Sequence, residues 1–128
     1  MLGDAELIAF VPTRDPKKSR GFYEGALGLE FVSEDSFAVV LRANGVTVRI
    51  VNVSNVKEFR PFPFTILGWR VVNVEKTVRE LGEKGIEFER FAGLEQDGLG
   101  IWSSPSGAKV AWFKDLDGNV LSVTEFGA

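Results

Sequence analysis

Two arginines sit where strand-forming sequence could turn them toward a ligand. Arg49 lies in the alternating run Val46 to Val51, and Arg70 falls near the end of the apolar run Phe64 to Val72. Alternation gives a strand two faces, so Thr47, Arg49 and Val51 share one face of their strand. Ile66, Gly68 and Arg70 share a face of theirs, with Leu67, Trp69 and Val71 on the other. A guanidinium on a ligand-facing surface favours a carboxylate or another planar anion, bound through paired hydrogen bonds. The competing role for either arginine is pairing with an acid such as Glu95 or Asp97, or exposure at a sheet rim. By the same alternation Phe10 shares a face with Ile8, and Ser122 with Thr124. Trp102 and Trp112 offer flat walls for a planar ligand, with core or interface packing as the other role. Their faces depend on hairpin register, which the sequence leaves open. The candidate ligand-binding set is thus Phe10, Arg49, Arg70, Trp102, Trp112 and Ser122, an apolar surface with a few polar handles that suits a small organic molecule.

Other chemistries find little support. There is no histidine and no cysteine, which removes the commonest general base, the commonest transition-metal ligand and any disulfide or thiolate. No Ser-His-Asp or Cys-His arrangement is possible. Asp115 and Asp117 are spaced for hydrogen bonds to a tight turn around Gly118 and Asn119 rather than for acid–base work. Gly98-Leu99-Gly100 begins like a dinucleotide fingerprint, but Ser103 replaces the third glycine and no helix pattern follows. A net charge of −3 argues against nucleic acid, and Lys17, Lys18 and Arg20 read as a solvated helix face. No apolar run approaches the roughly 20 residues that cross a bilayer. The first residues lack the pattern of a signal peptide, so a cytoplasmic location is expected. With 45% hydrophobic and 26% charged residues in 128, the chain has the balance of one globular domain.

The elements that must carry these residues follow from local signals. Leu7 to Val11 is a short apolar strand ending at Pro12. Asp15-Pro16 starts a helix with a carboxylate cap and a proline at its first position, and Phe22, Tyr23, Ala26 and Leu27 form its apolar face before Gly28 ends it. Strands are expected over Glu30 to Ser33 and Phe37 to Arg42, then a hairpin at Asn44-Gly45 and the strand from Val46. Phe64 to Val72 reads as a strand, and Asn73 caps a helix striped by Val74, Val78 and Leu81, with Glu75–Arg79 and Glu80–Lys84 pairs on its wet side. Strands near Gly100 to Ser103, over Lys109 to Lys114, and from Val120 complete the chain. Tyr23 and Trp69 are assigned to the core.

The plan occurs twice. The helix caps Asp15 and Asn73 are 58 positions apart, and each helix has one strand before it and three after it. The expected fold is α+β: two tandem βαβββ modules, about 5–53 and 64–126, joined by a linker at about 54–63 within a single domain spanning 1–128. One such sheet alone exposes a face, which pairing of two buries.

From Asp15 through Phe22, Tyr23, Leu27, Gly28 and Leu29 the chain resembles the opening motif of the vicinal oxygen chelate superfamily of glyoxalases, bleomycin-resistance proteins and extradiol dioxygenases. The segment Phe113-Lys114-Asp115-Leu116-Asp117-Gly118-Asn119 is similar to its closing signature, with Leu116 where proline is usual. The resemblance spans Leu7 to Phe126. It implies modules that curl around a ligand pocket, and a homodimer. Metal-dependent members of the superfamily place one ligand on each of four strands, and the corresponding residues here are Ile8, Arg49, Ile66 and Ser122. Two apolar side chains, a cation and a hydroxyl do not make a divalent-ion site, so no metal and no cofactor are expected. The resemblance therefore implies a metal-independent protein that binds a small organic molecule. The alternatives are a metal-independent lyase or isomerase, which would need a proton acceptor, and a subunit that pairs with another protein and takes no ligand.

Overall fold

The computed structural model describes residues 1–127. Two compact units make up the chain, Met1–Arg60 and the residues from Pro61 onward. The first contains β1 (Ile8–Thr13), α1 (Pro16–Arg20), β2 (Glu30–Glu34), β3 (Ala38–Ala43) and β4 (Val46–Asn52). The second contains β5 (Thr65–Arg70), α2 (Val74–Glu83), β6 (Trp102–Ser103), β7 (Lys109–Lys114) and β8 (Val120–Glu125). Each unit forms one four-stranded mixed sheet, ordered β1-β4-β3-β2 and β5-β8-β7-β6. In each, the first strand runs parallel to the last and the remaining neighbours are antiparallel. The fold is α+β, with two similar βαβββ modules.

Local chemistry explains the element ends. Asp15 Oδ1 accepts the Lys18 N–H at 3.2 Å and Asn73 Oδ1 accepts the Lys76 N–H at 3.0 Å, so each helix receives its expected cap. Asn44 and Gly45 have φ of +46° and +82°, the pair of left-handed residues that closes a two-residue hairpin whose twist matches its strands. On β1, Pro12 does not end the strand as expected but lies within it. β1 is an edge of its sheet, where a missing backbone N–H costs no ladder bond on the outer side.

The first helix also departs from regular winding. After α1 the chain widens into a π turn over Gly21–Ala26, where Leu27 N–H reaches back five residues to Phe22 O at 3.1 Å. Gly21 and Gly25 weaken ordinary helical winding there, and Tyr23 is fully buried as expected. On α2, Glu75 pairs with Arg79 at 3.1 Å, whereas Glu80 pairs with Lys76 at 3.9 Å rather than with Lys84.

Each sheet packs one face against its own helix. Val11, Val39, Leu41, Val48 and Ile50 with Tyr23 fill the core of the first unit. Ala111, Phe113, Leu121 and Val123 with Val74 and Val78 fill that of the second. Trp69 stacks on Phe113, with ring centroids 6.4 Å apart, but remains partly exposed rather than fully in the core. The second unit departs from the first where β2 would recur. There the chain makes an isolated bridge, Phe88 to Phe113, loops through residues 89–101, and only then forms the two-residue β6.

Candidate functional site

Strand register assigns the faces that sequence left open. Gly68 pairs with Ser122 and Arg70 with Thr124 across β5 and β8. Ser122 pairs with Trp112 and Thr124 with Val110 across β8 and β7, and Val110 pairs with Trp102 on β6. Directly paired residues project to the same side. Trp102, Trp112, Ser122 and Arg70 therefore share the sheet face turned away from α2. Ile66 does not follow the expected alternation: Thr65 pairs with Val120 and Leu67 with Leu121, so a bulge falls at Ile66 and breaks the period.

On this face the two indoles lie with centroids 6.1 Å apart, and the Phe91 ring meets Trp112 edge-on at 5.4 Å. Both tryptophans are half-buried, leaving part of each ring surface in contact with solvent. Gly68 places no side chain opposite Ser122. A Cβ there would sit 2.7 Å from Ser122 Oγ, so the hydroxyl occupies the space a side chain would take. The Arg70 guanidinium stands 5.1 Å from the Phe126 ring centroid, a cation–π contact in place of pairing with Glu95 or Asp97.

The first unit carries the other two candidates as direct partners: Phe10 pairs with Arg49 across β1 and β4. Arg49 in turn pairs with Val40, and Ile8 with Thr47, on the face turned away from α1. Phe10 and Ile8 are 60% and 53% exposed, an apolar surface around one guanidinium. Arg49 also acts on Asp35, whose carboxyl is held below its ordinary value by the accepted N–H groups of Phe37 and Ala38 and, more weakly, by the Arg49 charge. The six candidates thus fall into two groups, Phe10 with Arg49 and Trp102, Trp112, Ser122 with Arg70, one on each unit.

The residue types at the four superfamily metal positions can be tested against a metal directly. Ile8 and Ile66 offer no donor atom, Arg49 brings a positive charge, and Ser122 is a neutral hydroxyl. Among the described residues there is no cluster of three or more His, Cys, Asp and Glu suited to holding a metal ion. The donor set does not fit a divalent ion.

Asp115 builds the turn expected of it. Its Oδ1 accepts the N–H groups of Asp117 and Asn119, each at 2.9 Å, and its Oδ2 accepts the Asn119 amide at 2.8 Å. A separate cleft of about 370 Å³ opens at the start of α2, where Asn73, Asp97, Ser103, Lys109 and Glu125 converge. Sequence reasoning missed this cleft, along with Phe91 and the loop that positions it, because none of them carries a local signature.

A family model described as glyoxalase/bleomycin resistance protein/dioxygenase superfamily matches residues 7–123. The chain belongs to this superfamily. Its fold is shared by a superfamily member from Sphaerobacter thermophilus, with a TM-score of 0.74, 20% identity and 98% and 99% of the two chains covered. A lactoylglutathione lyase from Agrobacterium tumefaciens aligns with a TM-score of 0.72 and 15% identity over 95% of this chain and 93% of that one. An antibiotic binding protein from a Streptomyces species aligns with a TM-score of 0.72 and 19% identity over 99% of each. At such identities the likeness is one of fold, and superfamily membership alone does not select among these activities. No curated protein matched the chain. Among the described residues no helix is long and apolar enough to cross a membrane.

Proposed function

We propose that this superfamily member is a metal-independent binding protein for a small organic molecule carrying a flat ring and a negative charge. The observation that carries the reading is the shared face of Trp102, Trp112, Ser122 and Arg70. The indoles supply stacking surface, Ser122 a hydroxyl that can donate or accept, and Arg70 a guanidinium matched to a carboxylate. Phe10 and Arg49 repeat the combination of ring and guanidinium on the first unit. The paired positions of the second face include no carboxylate or imidazole, which favours binding over a proton-transfer reaction. The solved antibiotic binding protein of the same fold is consistent with this use of the scaffold.

The protein is proposed to work in the cytoplasm as a homodimer, a state favoured by the exposed apolar side chains of Ile8 and Phe10 and measurable by size exclusion with light scattering. The binding test is a thermal shift with 2-naphthoate, alongside naphthalene and cyclohexanecarboxylate to separate ring from charge. 2-Naphthoate is expected to raise the Tm more than either control, and Trp112→Ala to remove the effect. If no aromatic or anionic compound shifts the Tm, the reading fails.

A further inference from the structure

The aromatic face depends on a loop that has no regular secondary structure; Asp97 accepts the Leu99 and Ile101 N–H groups at its far end, and the Gln96 side chain joins that end to the Phe91 side. Gln96 accepts the Phe91 N–H on its Oε1 at 2.8 Å. Its Nε2 donates to Glu89 O at 2.9 Å and to Gly100 O at 2.8 Å. The Gln96 backbone meanwhile forms an isolated bridge with Trp102. One half-buried amide therefore touches the backbone on both sides of residues 89–101, and its own main chain lies against the strand that carries an indole.

The groups it holds belong to the aromatic cluster. Phe91 meets Trp112 edge-on at 5.4 Å, and Glu89 N–H donates to Trp112 O at 2.7 Å. Fixing Glu89 and Phe91 therefore fixes the ring that braces Trp112, while the bridge at Trp102 fixes the other indole. In a strand a neighbouring backbone would satisfy these donors and acceptors; here the carboxamide does so, with both of its N–H groups and its oxygen in use.

We propose that Gln96 is a positioning residue that sets the Trp102–Trp112 geometry, and hence the aromatic selectivity of the ligand face; this rests on the binding function proposed above. The amide does not need to touch the ligand. It acts through Phe91 and β6, and it acts in the empty protein as well as in the bound one.

The test reads the ligand-free protein first. Two indoles at 6.1 Å give an exciton couplet in far-ultraviolet circular dichroism, assigned by its loss in Trp102→Phe. Gln96→Ala removes all three bonds, and Gln96→Glu turns a carboxylate oxygen toward the two carbonyls that Nε2 now serves. Both variants are expected to lose most of the couplet amplitude while amides of β7 and β8 stay protected from hydrogen exchange. Their affinity for 2-naphthoate is expected to fall by about three- to tenfold, the loss of one aromatic contact, with that for cyclohexanecarboxylate unchanged. An unchanged couplet in either folded variant overturns the proposal. A lost couplet with no 2-naphthoate binding even in the wild type leaves the positioning role standing and overturns the ligand reading alone. If neither variant folds, hydrogen exchange of the wild type decides: the Phe91 amide must be protected together with that of Glu89, and rapid exchange at Phe91 overturns the proposal.

Discussion

Glu125 at the end of β8 accepts the backbone N–H of Val74 at 2.9 Å, tying the last strand to the first turn of α2. The first N–H groups of a helix have no partner within it, and a carboxylate there also meets the positive end of the helix dipole. Asn73 serves the Lys76 N–H, so the two side chains cap different donors.

Glu125→Ala should therefore lower stability by about 1–2 kcal/mol, and Glu125→Gln by less, because the amide oxygen still accepts. Urea unfolding of the three proteins measures this. Equal losses in Ala and Gln would mean that charge, not the hydrogen bond, carries the effect.

Asp115 is 6% exposed and accepts bonds from Asp117 and Asn119 in the turn between β7 and β8. Removing it leaves those donors without their acceptor in a buried setting. Asp115→Ala should cost roughly 3 kcal/mol. Urea unfolding measures the loss, and Asp115→Asn should lose less, because its amide oxygen still accepts.

Asp35 supplies a pH dependence whose sign is fixed by its depressed carboxyl. The N–H groups of Phe37 and Ala38 and the charge of Arg49 favour its ionised form in the folded protein. Its contribution to stability is complete above the ordinary value of 3.8 and disappears as pH falls through the lower folded value. Asp35→Asn should flatten that part of the stability profile in acid titration followed by thermal unfolding. A profile unchanged by the substitution would assign the acid limb to other carboxylates.

Gly68→Ala puts a Cβ 2.7 Å from Ser122 Oγ, closer than the two atoms can approach. The hydroxyl must rotate, at a cost of about 1 kcal/mol, and leaves its present position on the sheet face it shares with Trp112. In a Ser122→Ala background the same change should be nearly neutral, a non-additivity that a double-mutant cycle detects. Additive effects would show that Gly68 matters for another reason.

What could be read from sequence was what a few neighbouring residues decide among themselves. Asp15, Asn73, Asn44-Gly45 and Asp115 each meet partners within a few positions, so their roles followed from residue type and order. The faces of Trp102 and Trp112 did not, because they depend on pairing between strands and on the loop of residues 89–101 before β6. The bulge at Ile66 was equally hidden, since its apolar neighbours fit an uninterrupted strand. Gln96 is the clearest case: a polar residue in a loop looks ordinary until the chain brings three backbone groups around it.

Pro12 on β1 has a counterpart 58 positions later in Arg70 on β5, and each strand is the outer member of its sheet. An outer strand invites another chain to extend the sheet without limit, and a ring that lacks a donor or a long charged side chain discourages such growth. The bulge at Ile66 adds a kink to the second of these borders. Both sheets thus carry safeguards against fibrillar assembly on the strands that also present Phe10 and Gly68. Replacing Pro12 or Arg70 would therefore put colloidal solubility at stake.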